Sequence, residues 1–268
     1  MPAIDTVAVF ATEGAAAAFP TALAAAPGDS LTIRNFASGQ SASMNALIYS
    51  AGGGQKVRIT SPNLHDPQTG LTFQPAEVPS QFLVPQQANV PLQAGDTLSV
   101  SGGIAAAGTI AGALQIYYSQ LPAIAARLHM WGDISGNIRY IKSVEVDLDA
   151  VAVGAWTDTL VTATENQLHS GKDYAVLGYQ CSAAIDVVGI KGSATGNLRT
   201  CGPGASSTLD ITEYFVAMSE ANNLPYIPVF NSDDRNATYV SAFNHAAIGA
   251  GADSVYLILA ELINPVTP

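Results

Sequence analysis

A chain of 268 residues with 48% hydrophobic residues can fill one large core or two of ordinary domain size. Only 12% of residues are charged, the formal net charge is −11, and the 10 Lys and Arg are scattered along the chain. That pattern excludes direct nucleic-acid binding, which needs clustered cations to neutralise phosphates, and it disfavours docking on an anionic membrane surface.

The chain opens with a predicted strand, Thr6–Phe10, followed by an Ala-rich region, Ala15–Ala18 and Ala22–Ala26. It lacks the basic start of a signal peptide and is interrupted by Asp5 and Glu13. No uncharged run of about 20 apolar residues follows, so a soluble chain made in the cytoplasm, without membrane insertion, is expected. Further predicted strands are Ser30–Phe36, Ala46–Tyr49, Lys56–Thr60, Gly70–Phe73, Phe82–Val84, Val90–Leu92, Asp96–Val100 and Ala113–Tyr118. These short apolar runs, broken by Gly, Pro and Asn, read as an all-β sandwich. In Lys56–Ile59 the alternation puts Val57 and Ile59 on one face and the cations on the other.

The stretch 122–137 is less regular, with a short helix predicted over Ile124–Met130. Ile138–Asp149 is the longest strand-like segment: Val144, Val146 and Leu148 share one face, and Glu145, Asp147 and Asp149 the other. The later strands are Leu160–Ala163, Asp173–Gln180, Ala184–Lys191, Asn197–Cys201, Tyr226–Phe230, Thr238–Asn244 and Asp253–Leu262. Between them Ser207–Asn222 reads as a helix, with Asp210 and Glu213 favourable near its start. The matching place in the first half, Phe73–Gln81, holds two prolines and reads as a loop.

The second half resembles the first. At a shift of 141 residues, Lys56–Asn63 meets Asn197–Gly204 and Ala113–Leu121 meets Ser254–Leu262. With a two-residue adjustment, Val84-Pro85 meets Ile227-Pro228, and Leu31–Phe36 meets Tyr174–Tyr179. Arg58 and Arg199, and Leu114 and Val255, are then expected on equivalent strands. A period this long is a whole domain, since solenoid repeats run about 20–50 residues. The expected fold is two tandem antiparallel β-sandwich, jelly-roll-like domains, 1–126 and 127–268, related by internal duplication, with a short helical insertion in the second.

Candidate chemistry is sparse. His65, His129, His169 and His245 are far apart in sequence, and only His65 has an adjacent carboxylate, Asp66. A zinc site needs three or four converging ligands. Ser170-Gly171-Lys172 lacks the upstream glycine and following hydroxyl of a phosphate loop and reads as a turn. Gly102, Gly103 and Gly108 read as a turn between strands. Glu145, Asp147 and Asp149, about 7 Å apart along one face, read as a solvated face, with Ca²⁺ binding the alternative. Cys181 and Cys201 read as free thiols, with a disulfide the alternative. Pro225–Asn231 reads as a core strand or an interface hot spot. Tyr117, Tyr118, Trp131 and Trp156 are expected to pack the halves together or to line a groove at their junction. No catalytic, cofactor-binding or metal-ligating set emerges.

On the duplicated domain and the insertion Ser207–Asn222, the chain resembles the double jelly-roll capsid proteins of tailless double-stranded DNA viruses and phages. Gly196–Gly204, Ile227–Ser232 and Leu257–Leu262 are similar to segments of phage structural proteins. The resemblance implies a capsid protein located in the virion. It implies assembly with itself, as a trimer or larger, and with other virion proteins, without cofactor or enzymatic activity. A helix in only one half departs from that family and leaves a minor capsid, cement or tail role open. Two other classes remain. One is a glycan-binding module using Trp131 or Trp156 as a sugar platform. The other is a glycoside hydrolase, which requires a carboxylate pair about 5–10 Å apart in a groove.

Overall fold

The computed structural model describes residues 1–13, 21–51, 56–62, 70–73, 90–103, 108–122, 124–161, 168–181, 185–204 and 211–266. Alternating apolar positions and frequent Gly and Pro breaks give an all-β chain. Its first strands are β1 (Ala3–Glu13), β2 (Thr21–Ala22), β3 (Ala24–Ala25), β4 (Ala42–Ala51), β5 (Lys56–Thr60), β6 (Leu71–Phe73), β7 (Val90–Leu92), β8 (Ser99–Gly103) and β9 (Gly108–Tyr118). After β10 (Leu128–His129) come a single-turn helix α1 (Trp131–Ile134) and a 3-10 turn, Ser135–Asn137. The remaining strands are β11 (Ile138–Asp147), β12 (Trp156–Leu160), β13 (Asp173–Cys181), β14 (Val187–Gly192), β15 (Arg199–Pro203), β16 (Ile227–Asn231), β17 (Thr238–Phe243) and β18 (Ser254–Leu262). Helix α2 (Tyr214–Asn222) lies between β15 and β16.

The strands form four antiparallel sheets. Two are five-stranded, ordered β3-β1-β9-β4-β7 and β10-β16-β13-β18-β11; two are four-stranded, ordered β2-β8-β5-β6 and β12-β17-β14-β15. No sheet mixes strands from before and after residue 126. The chain passes into the second half at Ala126, which bridges Thr195, and at Arg127, whose N–H donates to the Ala194 carbonyl.

Each half closes its sheets over apolar side chains that strand alternation sends inward. In the first half Val7, Val9, Met44, Ile48, Ile110 and Ile116 of the five-stranded sheet meet Val57, Ile59 and Val100 of the four-stranded sheet. In the second, Val144, Val146, Val176, Leu257 and Leu259 meet Val188, Ile190 and Val240. Along β11 the alternation of the sequence survives: Val144 and Val146 are buried, Glu145 and Asp147 exposed. Helix α2 buries Tyr214, Phe215 and Met218 and ends at Asn223, left-handed at φ 51°. The segment leading into it comes close to β13 because residue 178 is glycine: a Cβ there would strike the Ile211 and Thr212 backbone.

Several expected boundaries move. Ser30–Phe36 forms no strand; it is tied down by the isolated Thr32–Thr97 bridge, by backbone hydrogen bonds of Leu31 and Ile33 with residues 95–98, and by Arg34 contacts with Asp5 and Tyr118. The helix expected over Ile124–Met130 is replaced by β10, with α1 starting at Trp131. Gly102 and Gly103 lie in β8 and Gly108 starts β9, so they are not turn residues. The predicted strand Phe82–Val84 falls outside the described residues, as do the start of the predicted helix and the Phe73–Gln81 loop beyond Phe73. The alignment of the halves also slips. Arg58 lies on β5, an inner strand of its sheet, and Arg199 on β15, an edge strand. Leu31–Phe36, an irregular segment, cannot match Tyr174–Tyr179 in β13. A five-residue run of alternating apolar residues looks the same in any strand, so such runs align equally well to the wrong neighbour.

Candidate functional site

The outward face of the first five-stranded sheet would meet water in a lone sandwich, yet it is buried. Ala8 and Ala111 are 0% exposed and Gln115 is 3%. Thr6, Ala113 and Tyr117 on the same face are buried too. The covering surface is the outward face of the second four-stranded sheet: Val187, Cys201 and Phe243, with Trp156 beside them. Small side chains on β1 and β9 let two sheets approach closely, and stacked sheets sit about 10 Å apart.

Several polar groups on this contact are paired, while Gln115 Oε1 and Asn45 Nδ2 are buried without a hydrogen-bond partner. The Gln115 Nε2 donates to the Cys201 carbonyl at 2.7 Å, and the Cys201 N–H donates to Thr6 Oγ1 at 3.2 Å. Tyr117 stacks on Tyr226 with ring centroids 5.6 Å apart. Asp29, after β3, accepts from Trp156 Nε1 at 2.7 Å, from the Ala8 N–H at 2.8 Å and from Arg199 Nη1 at 3.2 Å. Arg199 also grips Asp158 with two nitrogens, at 2.9 and 3.2 Å, and its guanidinium lies 4.8 Å from the Trp156 ring centre. Burial pushes the Asp29 carboxyl up, against the hydrogen bonds from Trp156 and Ala8 and the Arg199 charge. Burial acts the same way on Asp158, but hydrogen bonds from Arg199, Lys191 and Ser241 outweigh it and hold that carboxyl low. The acidic partner across this contact, Asp29, belongs to the first half and the cation to the second.

Two faces of the same kinds are open. On the outward face of the second five-stranded sheet Ile141 is 57% exposed, and Ser143, Glu145 and Asp147 are exposed beside it. Tyr256 Oη donates to Glu145 at 2.7 Å and Ser254 Oγ to Asp147 at 2.8 Å. On the outward face of the first four-stranded sheet Lys56 and Ser99 are exposed and Arg58 is partly so.

The candidates raised by the sequence are dispersed. His65 and Asp66 lie outside the described residues. His129, on β10, is held below its ordinary pKa by burial. His245 Nδ1 lies 2.9 Å from Asp186, a hydrogen bond that raises its pKa against the opposing effect of burial. His169 Nδ1 lies 2.7 Å from Glu261 and 2.6 Å from Tyr140 Oη. Ser170 Oγ and the Gly171 N–H donate to Asp233, fixing the turn before β13. Trp131 is half-buried, and its N–H donates to Ser219 Oγ of α2. Tyr118 sits inside the first sandwich and accepts from the Arg34 N–H. Trp156 offers no open platform, because Arg199 occupies one face and Phe243 packs at 5.4 Å. The segment Tyr226–Phe230 is a buried core strand. Cys181 and Cys201 are not joined in a disulfide. Among the described residues no group of three His, Cys, Asp or Glu is placed to hold a metal ion, and no helix is long and apolar enough to cross a membrane.

Two polar centres escaped the sequence reading. Asp29, Asp158 and Arg199 carry no motif. Glu261 did leave a signal, as one acid in the apolar run Leu257–Leu262. Its side chain is 0% exposed, accepts from Tyr174 Oη at 2.6 Å and lies 3.3 Å from Arg139. Burial pushes its carboxyl up, but hydrogen bonds with Tyr174, His169 and Tyr140 and the charge of His169 win, and it falls to about 2. No protein-family model matches the chain, and no curated protein matches it.

Proposed function

We propose that the chain is a tandem of two jelly rolls, domains 1–126 and 127–268, arisen by duplication, and that it is a virion structural protein, a capsid building block that assembles with copies of itself. The observation that carries this reading is the agreement of strand pairing between the halves. Setting aside β3 and β10, each half has eight strands among the described residues. Counted in order within the half, both pair first with eighth, second with seventh, third with sixth, fourth with fifth, third with eighth and fourth with seventh. A long hairpin rolled into two sheets gives this order, the one expected of a jelly roll, and that supports the reading.

Leu114 and Val255 support the same reading: each lies on the eighth strand of its half, between the first and third. The insertion α2 lies between the fifth and sixth strands of its half. In its favour too is the way the halves meet, sheet face on sheet face through mostly neutral side chains with one paired charge cluster at Asp29 and Arg199. Electron microscopy and light scattering of the purified chain test it. Regular particles or rings of three or more chains are expected. One-chain mass at high concentration and at every salt would overturn it.

A further inference from the structure

We propose that a second copy of this chain docks on the outward face of β11 and β18, presenting the outward face of its own β5 and β8, so that copies join head to tail. This rests on the assembly reading above and names the surfaces it uses. Within one chain the layers alternate, with the outward face of a five-stranded sheet covered by the outward face of the next four-stranded sheet. The stack stops at both ends on faces of these same two kinds. A contact between unlike faces leaves each new copy with one of each free, so growth continues until rotation closes a ring.

Charge supports the occupant. Glu145 and Asp147 are exposed on the open five-stranded face, while Lys56 is exposed and Arg58 partly exposed on the open four-stranded face. The polarity matches the internal contact, where Asp29 comes from the five-stranded side and Arg199 from the four-stranded side. Two copies joined like to like would instead set Glu145 and Asp147 against themselves. The open five-stranded face also shows Ile141 at 57% exposure beside the partly buried Ile258. It thus joins an apolar patch to an acidic edge, the composition of a surface that is soluble alone and covered in an assembly.

Charge reversal tests the pairing. Lys56→Glu and the double variant Glu145→Lys with Asp147→Lys are each expected to reduce the assembled mass seen by light scattering at low salt. The chain carrying all three changes is expected to regain it. A second readout is cross-linking in a Cys181→Ser background: Lys56→Cys with Glu145→Cys in one chain gives a ladder of disulfide-linked species, whereas either alone gives monomer. This pair serves equally where a reversed chain loses its β-sheet circular dichroism. Assembly that ignores the reversals, a triple variant that stays dispersed, or dimers from Glu145→Cys alone would overturn the head-to-tail surface and leave the structural role standing. A wild-type chain that never assembles would overturn both.

Discussion

The two five-stranded sheets have opposite exteriors. The first turns Thr6, Ala8, Ala111, Ala113 and Gln115 outward and buries all of them; the second turns out Ser143, Glu145 and Asp147 and leaves them exposed. Apart from β3 and β10, both sheets share the same strand pairing, so topology does not set the difference. What lies against each face does. A face covered by the other half keeps small, uncharged side chains, because a buried polar atom without a partner, such as Gln115 Oε1, costs about 1–3 kcal/mol. A face open to water carries charges.

That contrast can be broken most severely at Arg199. Arg199→Met removes the cation shared by Asp29 and Asp158 at the covered face, and a stability loss of about 3–5 kcal/mol is expected in denaturant unfolding, the usual result of stranding a buried charge. Asp147→Asn on the open face should change stability by less than about 0.5 kcal/mol. Acid offers the next test, in the five-stranded sheet of the second sandwich. The Glu261 carboxyl falls from 4.5 to about 2 on folding, so the unfolded chain binds more protons between those values. Its stabilisation is complete above pH 4.5 and is lost as pH falls toward 2. Thermal unfolding across that window should show the loss, and Glu261→Gln should flatten the slope.

Overpacking separates the faces by geometry instead of charge. Ala113→Leu at the covered face should cost about 1–3 kcal/mol, and Ser143→Leu on the open face less than about 0.5 kcal/mol. Equal costs in chemical unfolding would mean that the halves do not pack in solution as described. A finer probe is Trp156→Phe, which keeps an aromatic ring, though a smaller one, but removes the donor to Asp29, for an expected loss of about 1–2 kcal/mol. The smallest effect is expected from Tyr256→Phe: it deletes an exposed hydrogen bond to Glu145 and should shift stability by about 0.5 kcal/mol or less.

The sequence by itself determined the all-β class and the inward faces of β5 and β11, because strand geometry sends alternate residues to opposite sides whatever the strand packs against. It also carried the core strand at Tyr226–Phe230 and, through one acid in an apolar run, a trace of Glu261. The register of one half on the other was not legible, since short alternating runs match any strand equally well; Arg58 and Arg199 were paired for that reason and lie on strands of different rank. The site was less legible still. Ala8, Ala111 and Ala113 read as neutral composition, and Asp29, Asp158 and Arg199 as scattered charges, 170 residues separating Asp29 from Arg199. Only the tertiary structure decided that they meet, because which sheet face is covered depends on where the second sandwich docks, and that is a property of the assembled surfaces rather than of any local pattern.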